Sequence, residues 1–258
     1  MAGISYDSQA ILKFFSNQHG ITFPLLADPK SEIIRSFGVL NPRGVGFSEG
    51  MAIPGFFYVG SDGSIKEAFF EVNDYARYTA NNVIAKLFPE LVSADERNIP
   101  ALHLNLKLTQ SDAEVVPGSR VTLTAIVSLP RDVHVYAPGV RGYKPIKLEL
   151  EPAADAVLHT VHYPRAKVML LPAIHEKVPV LEGTFRIVED VTVSYDRSFI
   201  EQVMKGPVSG TVLTLKGKLF YQACDTKICY PPDAVPVSWH ITVKPLDHSR
   251  APEAIRHK

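Results

Sequence analysis

The sequence predicts an α/β region followed by an all-β antiparallel sandwich. Helix and strand patterns alternate over residues 1–93, and a polar stretch at 94–100, ending in Pro100, reads as a linker. From residue 101 to about 246 the apolar residues recur with period two, with turn signals between the runs. Residues 247–258 read as a frayed tail.

In the first region Asp7 is placed to cap a helix whose Ala10, Ile11, Phe14 and Phe15 form one stripe, and Gly20 stops it. Residues 22–26 read as a strand. Asp28-Pro29 opens a second helix that carries Ile33, Ile34 and Phe37 and ends near Gly38; the proline sits where its missing N–H costs nothing. Residues 55–59 and 64–70 form a hairpin around Ser61-Asp62-Gly63, and a last helix over about 74–88 presents Val83, Ile84 and Leu87. Beyond the linker, Leu102, Leu104, Leu106 and Leu108 alternate with polar residues, and Val121, Leu123, Ala125, Val127 and Leu129 repeat the pattern. Further strands fit residues 133–136, 145–151, 156–162 and 183–193, and a closing hairpin has alternating segments over 211–223 and 235–243. Seven or eight short strands of this kind argue a sandwich.

Composition narrows the function. The 258 residues are 46% apolar, ample for cores, and contain no apolar run of about 18 residues that would cross a membrane as a helix. Twenty-seven basic residues balance 27 acidic ones without clustering, so nothing points to nucleic acid or an anionic membrane surface. His159 and His162 lie three apart on a strand and point to opposite faces, a poor metal pair; no metal and no cofactor is expected.

The chemistry centres on Cys224 and Cys229, the only two cysteines. Four residues separate them, with an alternating segment on each side, and two strands joined by a four-residue loop form a hairpin. Cross-strand Cβ atoms roughly 4.5–5.5 Å apart come close to what a disulfide needs, so the bond is easy to make. Cys224 shares the strand face of Gln222 and Lys218, not that of Leu219 and Tyr221, and a disulfide on that wetter face would be reachable by another thiol. Cys224 is therefore expected to be the sulfur that captures a partner. The register must slip once between Cys229 and Val235, and Tyr230-Pro231-Pro232 is the natural place because neither proline donates to a ladder. The competing reading is a structural staple. A six-residue ring, however, stabilises less than the roughly 3 kcal/mol assigned to a 15-residue loop.

Around the pair, Lys227 is either a cation that favours thiolate or a solvated turn lysine. Asp225 either opposes thiolate formation and later accepts a proton, or simply forms the turn. His134 and Tyr136 share the polar-facing side of the V-H-V-Y strand, which by itself reads as an exposed strand face.

The run Tyr221-Gln222-Ala223-Cys224, then Cys229-Tyr230-Pro231-Pro232, resembles the active-site hairpin of the amino-terminal periplasmic domain of the DsbD family. The resemblance covers about residues 100–245. It implies an immunoglobulin-like sandwich and a redox role for Cys224 and Cys229, with Tyr221, Gln222 and Tyr230 beside them and His134 and Tyr136 about where that family has aromatic residues near its active site. It also implies exchange with thioredoxin-like partners and a membrane thiol reductase, and a periplasmic location. This family shields its disulfide with a cap loop, whose counterpart by position is 167–175, with Met169, Leu170 and Leu171 as an apolar lid or as core.

Residues 1 to about 92 carry G-I-S-Y-D-S, then H-G-I-T-F-P-L-L-A-D, then I-P-G-F-F-Y-V-G-S-D-G in order. They resemble the thioredoxin-like redoxins of the peroxiredoxin (AhpC/TSA) group. The resemblance implies a cis peptide bond at Pro54. It also implies a preceding strand, helix and catalytic cysteine that have no counterpart here, which leaves an unpaired edge at residues 3–6. An incomplete chain would explain this, and would also explain the missing signal peptide. The alternative is a cysteine-free half-domain kept as a docking surface. Peroxidase chemistry is not expected from these residues; an intact antioxidant enzyme would need a cysteine upstream of Met1.

Overall fold

The computed structural model describes residues 1–71, 75–92, 94–171, 176–247 and 249–256. It is mostly β and divides into two compact units, one of Met1–Asp74 with Asp247–Lys258, the other Tyr75–Leu246.

The first unit starts with β1 (Gly3–Ser5), α1 (Gln9–His19), β2 (Leu25–Ala27) and α2 (Glu32–Ser36). The N-cap of α1 is Ser8, one residue after the expected Asp7: its hydroxyl accepts the Ile11 N–H, while Asp7 bonds Ser5. Gly20 ends α1 in the left-handed conformation as expected. Leu12 is the buried residue of that helix and Phe15 stays exposed against the His19 ring. Asp28 serves α2 from a distance, its carboxylate accepting the N–H groups of Glu32 and Ile34, each at 2.9 Å. β1 and β2 pair in parallel, and the other edge of β1 carries no strand among the described residues. β3 (Gly55–Val59) and β4 (Ile65–Phe70) form the expected antiparallel hairpin as a separate two-stranded sheet.

Three expectations fail in or beside this unit. No cis peptide bond occurs among the described residues, so Pro54 is trans. The trans form of an X-Pro bond is favoured by roughly 0.5–1 kcal/mol, and β3, paired with β4 alone, has no central sheet around it to force the other isomer. The supposed tail is tied down, with Gln18 donating to Ser249 at 2.8 Å and His19 lying 3.6 Å from Asp247. The unit also ends at residue 74 rather than 93.

The second unit gains what the first loses. β5 (Arg77–Tyr78) pairs in parallel with β9 (Ser119–Ser128), and α3 (Ala80–Leu87), capped by Thr79, follows it. Asn82 is fully buried and donates to Thr122 at 2.7 Å and Asp190 at 3.4 Å; Lys86 pairs with Asp190 at 2.6 Å; Thr79 bonds Asp112 at 2.8 Å. Buried polar groups must find partners, and α3 finds its partners on the sheet of the second unit. Residues 94–100, expected as a linker, are largely strand β6 (Ala94–Ile99), paired antiparallel with β7 (Asn105–Gln110).

Beyond β8 (Glu114–Val115) and β9, the chain forms β10 (His134–Tyr136), β11 (Lys147–Leu150), β12 (Ala156–His162), β13 (Lys167–Leu171), β14 (Glu176–Glu182) and β15 (Thr184–Val193). It closes with α4 (Arg197–Lys205), β16 (Thr211–Tyr221), β17 (Ala223–Cys224) and β18 (Asp233–Val243). A six-stranded sheet runs β12-β15-β9-β7-β6, with β5 beside β9, and a four-stranded sheet runs β11-β16-β18-β8. Alternate residues of both, among them Leu108, Leu123, Ile187, Leu215, Leu219 and Trp239, meet in one core. Trp239 is fully buried and its indole donates to Thr109 O at 2.9 Å, so the largest core side chain spans the layers with its polar atom satisfied. A third sheet, β13-β14-β10-β17, carries the cysteines.

Candidate redox site

β16 pairs with β18 as far as Tyr221 opposite Asp233. Three steps lead from Tyr221 to Cys224, but four from Cys229 to Asp233, and Cys224 faces Cys229 in an isolated antiparallel bridge. The extra residue lies across Tyr230-Pro231-Pro232, where the register slip was expected. Beyond the slip β17 leaves its β16 neighbours and pairs with β10, His134 opposite Cys224. The two sulfurs are bonded.

The loop between them is braced at every turn. Asp225 accepts the N–H groups of Lys227 at 2.7 Å and Ile228 at 2.8 Å on one oxygen, and the Tyr230 hydroxyl at 2.8 Å on the other. These backbone bonds, with that hydroxyl, hold its carboxyl down at about 2, and the same contact raises the Tyr230 phenol. Asp225 is thus the turn former of the two roles expected for it. Tyr230 N–H donates to Ala223 O at 2.9 Å, Gln222 donates to Tyr230 O at 3.0 Å, and the Tyr230 ring lies flat on His103 with centroids 3.7 Å apart. Tyr221 anchors the base, its hydroxyl donating to Leu102 O at 2.7 Å and reaching Asp233 at 3.1 Å; burial raises its phenol strongly. Lys227 is exposed in the turn.

Exposure divides the pair. Cys224 is 1% exposed, whereas Cys229 is exposed beside Ile228, itself 57% exposed. The strand parity of Cys224 is as read, but its face is not wet. Tyr136, Val178 and Val180 from β10 and β14 form a small cluster with Cys224, packed on by Val140, Tyr143 and Met169. Which face of a strand is wet depends on what distant strands bring to it, and here they bring a second apolar layer.

His134 and Tyr136 lie on this sulfur side, both buried rather than on an exposed strand face. The Tyr136 hydroxyl is 3.3 Å from Cys229 Sγ and 3.5 Å from Cys224 Sγ. Sulfurs joined in a disulfide carry no proton, so the tyrosine is the donor to either. Burial raises its phenol, which keeps that proton in place. His134 meets the Tyr136 ring edge-on at 5.7 Å; burial lowers its imidazole toward the neutral form, and its buried Nε2 has no hydrogen-bond partner among the described residues.

Of the expected lid, Met169 packs on the cluster, while Leu170 points away and is 54% exposed. β13 is a strand paired with β14, so alternate residues face opposite ways. The Leu171 side chain and residues 172–175 lie outside the described residues. Sequence reading missed Tyr143, whose ring covers Tyr136 at 4.4 Å and whose hydroxyl donates to Glu176 at 2.7 Å, a bond that raises its phenol to about 12. The available signal was Gly139 and Gly142, both at positive φ, which let residues 138–144 fold back over β10. His103 was missed as well; it lies 127 residues away in sequence from Tyr230, the ring it stacks on.

Comparison with known proteins found two kinds of likeness. Residues 1–68 match the model of the AhpC/TSA family. Among solved structures, the DsbD N-terminal domain of Neisseria meningitidis in its reduced form is similar at TM-score 0.30 and 14% identity, over 46% of this chain and 82% of that one. The N-terminal periplasmic domain of ScsB from Proteus mirabilis is similar at TM-score 0.36 and 12% identity, over 60% of this chain and 53% of that one, so the chain spans about half of its length. No curated protein matches. The chain therefore resembles the AhpC/TSA family in its first quarter and DsbD and ScsB amino-terminal domains among solved structures.

Proposed function

We propose that this protein is a thiol–disulfide exchange module in which Cys229 is the sulfur offered to a partner and Cys224 the sulfur held in reserve. One observation carries the reading: a single disulfide has one exposed cysteine, one buried cysteine and a buried hydroxyl within 3.5 Å of both. A partner thiolate attacks Cys229 Sγ, the S–S bond breaks, and Cys224 leaves as a thiolate beside the Tyr136 hydroxyl, which stabilises the new charge by donating to it. The partner's second thiol, as thiolate, then attacks its own sulfur in the mixed disulfide and frees Cys229. Two electrons and two protons have entered the module, and the partner leaves oxidised. Passing them on to an oxidised acceptor runs the same steps in reverse.

The second unit fits an immunoglobulin-like sandwich and the first unit part of a thioredoxin-like fold. The partners this chemistry suits are thioredoxin-like proteins and a membrane thiol reductase, in an oxidising, periplasmic compartment where such a bond persists. The AhpC/TSA match is confined to residues that contain no cysteine, so no peroxidase step is assigned to them.

Trapping tests the proposal. Cys224→Ala leaves the exposed thiol and should capture a thioredoxin-like protein as a mixed disulfide at least about tenfold more than Cys229→Ala, the reverse of the order read from strand parity. Failure of both variants to capture any such protein, with a reduction potential below about −300 mV, would return the bond to a structural role.

A further inference from the structure

We infer that His103 is a positioning residue for the Cys229 loop, an aromatic brace that holds the loop through its stack on Tyr230. The inference deepens the exchange reading and rests on it only in taking Cys229 as the sulfur attacked.

His103 precedes β7 and is remote in sequence from the cysteines, yet its ring lies on Tyr230 with 3.7 Å between centroids and 11° between planes. Tyr230 follows Cys229 directly, and its hydroxyl is fixed to Asp225 at 2.8 Å. The same carboxylate holds the N–H groups of Lys227 and Ile228, the two residues before Cys229. One linked set of contacts, imidazole to phenol to carboxylate to loop backbone, therefore grips both sides of the exposed sulfur. The neighbouring residue repeats the link, because Leu102 O receives the Tyr221 hydroxyl at the base of the loop. His103 itself has φ 62°, a region that a non-glycine residue occupies only when its surroundings hold it there.

The stacked imidazole limits the movement of the Tyr230 ring, and through Asp225 the movement of the loop backbone, so opening the loop for attack on Cys229 Sγ is slower with the ring in place than without it.

The test needs no protein partner. A water-soluble phosphine attacks Cys229 Sγ and breaks the S–S bond. Cys224 leaves as a thiolate and is protonated, and water then converts the phosphonium to phosphine oxide and releases Cys229 as a thiol. Reduction rates of the full chain at about pH 8, read by alkylation and mass, are compared for wild type, His103→Phe, which keeps a stacked ring, and His103→Ala, which removes it. His103→Phe should match wild type, and His103→Ala should be about threefold faster than both. An alanine to wild-type ratio near one overturns the inference, as does a phenylalanine variant as fast as the alanine variant. Partner capture is scored separately: without capture but with the expected ratio the relay fails and the brace stands, and capture with a flat ratio does the opposite.

Discussion

In the unit Tyr75–Leu246 the alternate residues of a six-stranded and a four-stranded sheet close on one core, whereas in the unit built on Met1–Asp74 the strands form two separate two-stranded sheets. Ile4 and Leu26 on the first of those sheets keep 44% and 46% of their surface, while Leu108 and Leu123 on the six-stranded sheet keep none. A two-stranded sheet is marginal by itself, because each strand has an unpaired edge and little to pack on. The contrast teaches that similar apolar content stabilises very differently once strand number decides whether a face is covered.

The largest test of that contrast is at its centre. Trp239→Ala removes the side chain that fills the core and satisfies Thr109 O, and should cost about 3–5 kcal/mol in urea unfolding. A cost below about 1 kcal/mol would mean that the two sheets do not share a core. Next comes Glu189, which is 3% exposed, has one oxygen without a hydrogen-bond partner among the described residues, and whose carboxyl burial raises to about 7. The unfolded chain ionises this group near its ordinary value, so stability falls as pH rises from about 4.5 to 7 and then levels off. The total fall is about 3 kcal/mol, and Glu189→Gln should abolish it, most visibly in melts at about pH 8. Asn82→Ala should cost about 1–3 kcal/mol by leaving Thr122 and Asp190 short of a donor. That loss belongs to the second unit's transition; appearing in the first unit's instead, it would return α3 to the region where sequence reading put it. Reducing the disulfide should lower stability by less than about 3 kcal/mol because the ring is short. The smallest effect is expected of Ile4→Ser, within about 0.5 kcal/mol, since the side chain is already half in water. A cost above about 1 kcal/mol would show that something covers that face.

Much of this was legible in the residues. Period-two alternation placed the strands that build the core, and the Ser61-Asp62-Gly63 turn placed its hairpin. The two prolines after Cys229 marked the register slip. The misread elements share a cause. Residues 94–100 looked like a linker because Asp95, Glu96 and Arg97 are charged, yet an edge strand tolerates charge on its solvent side. The helix over about 74–88 was placed in the first region because its buried amide, Asn82, betrays itself only through its partners, which lie 40 and 108 residues away.

What the sequence alone determined is therefore local: that Cys224 and Cys229 can meet across two strands, and which strand face Cys224 occupies, since both follow from alternation and loop length. Only the tertiary structure decided which sulfur is within reach. β10 and β14, recruited from residues 134–136 and 176–182, lay Tyr136, Val178 and Val180 against Cys224 and leave Cys229 at the surface. Alternation states that a strand has two faces, but long-range packing chooses what covers each one, and that choice sets the chemistry of the pair.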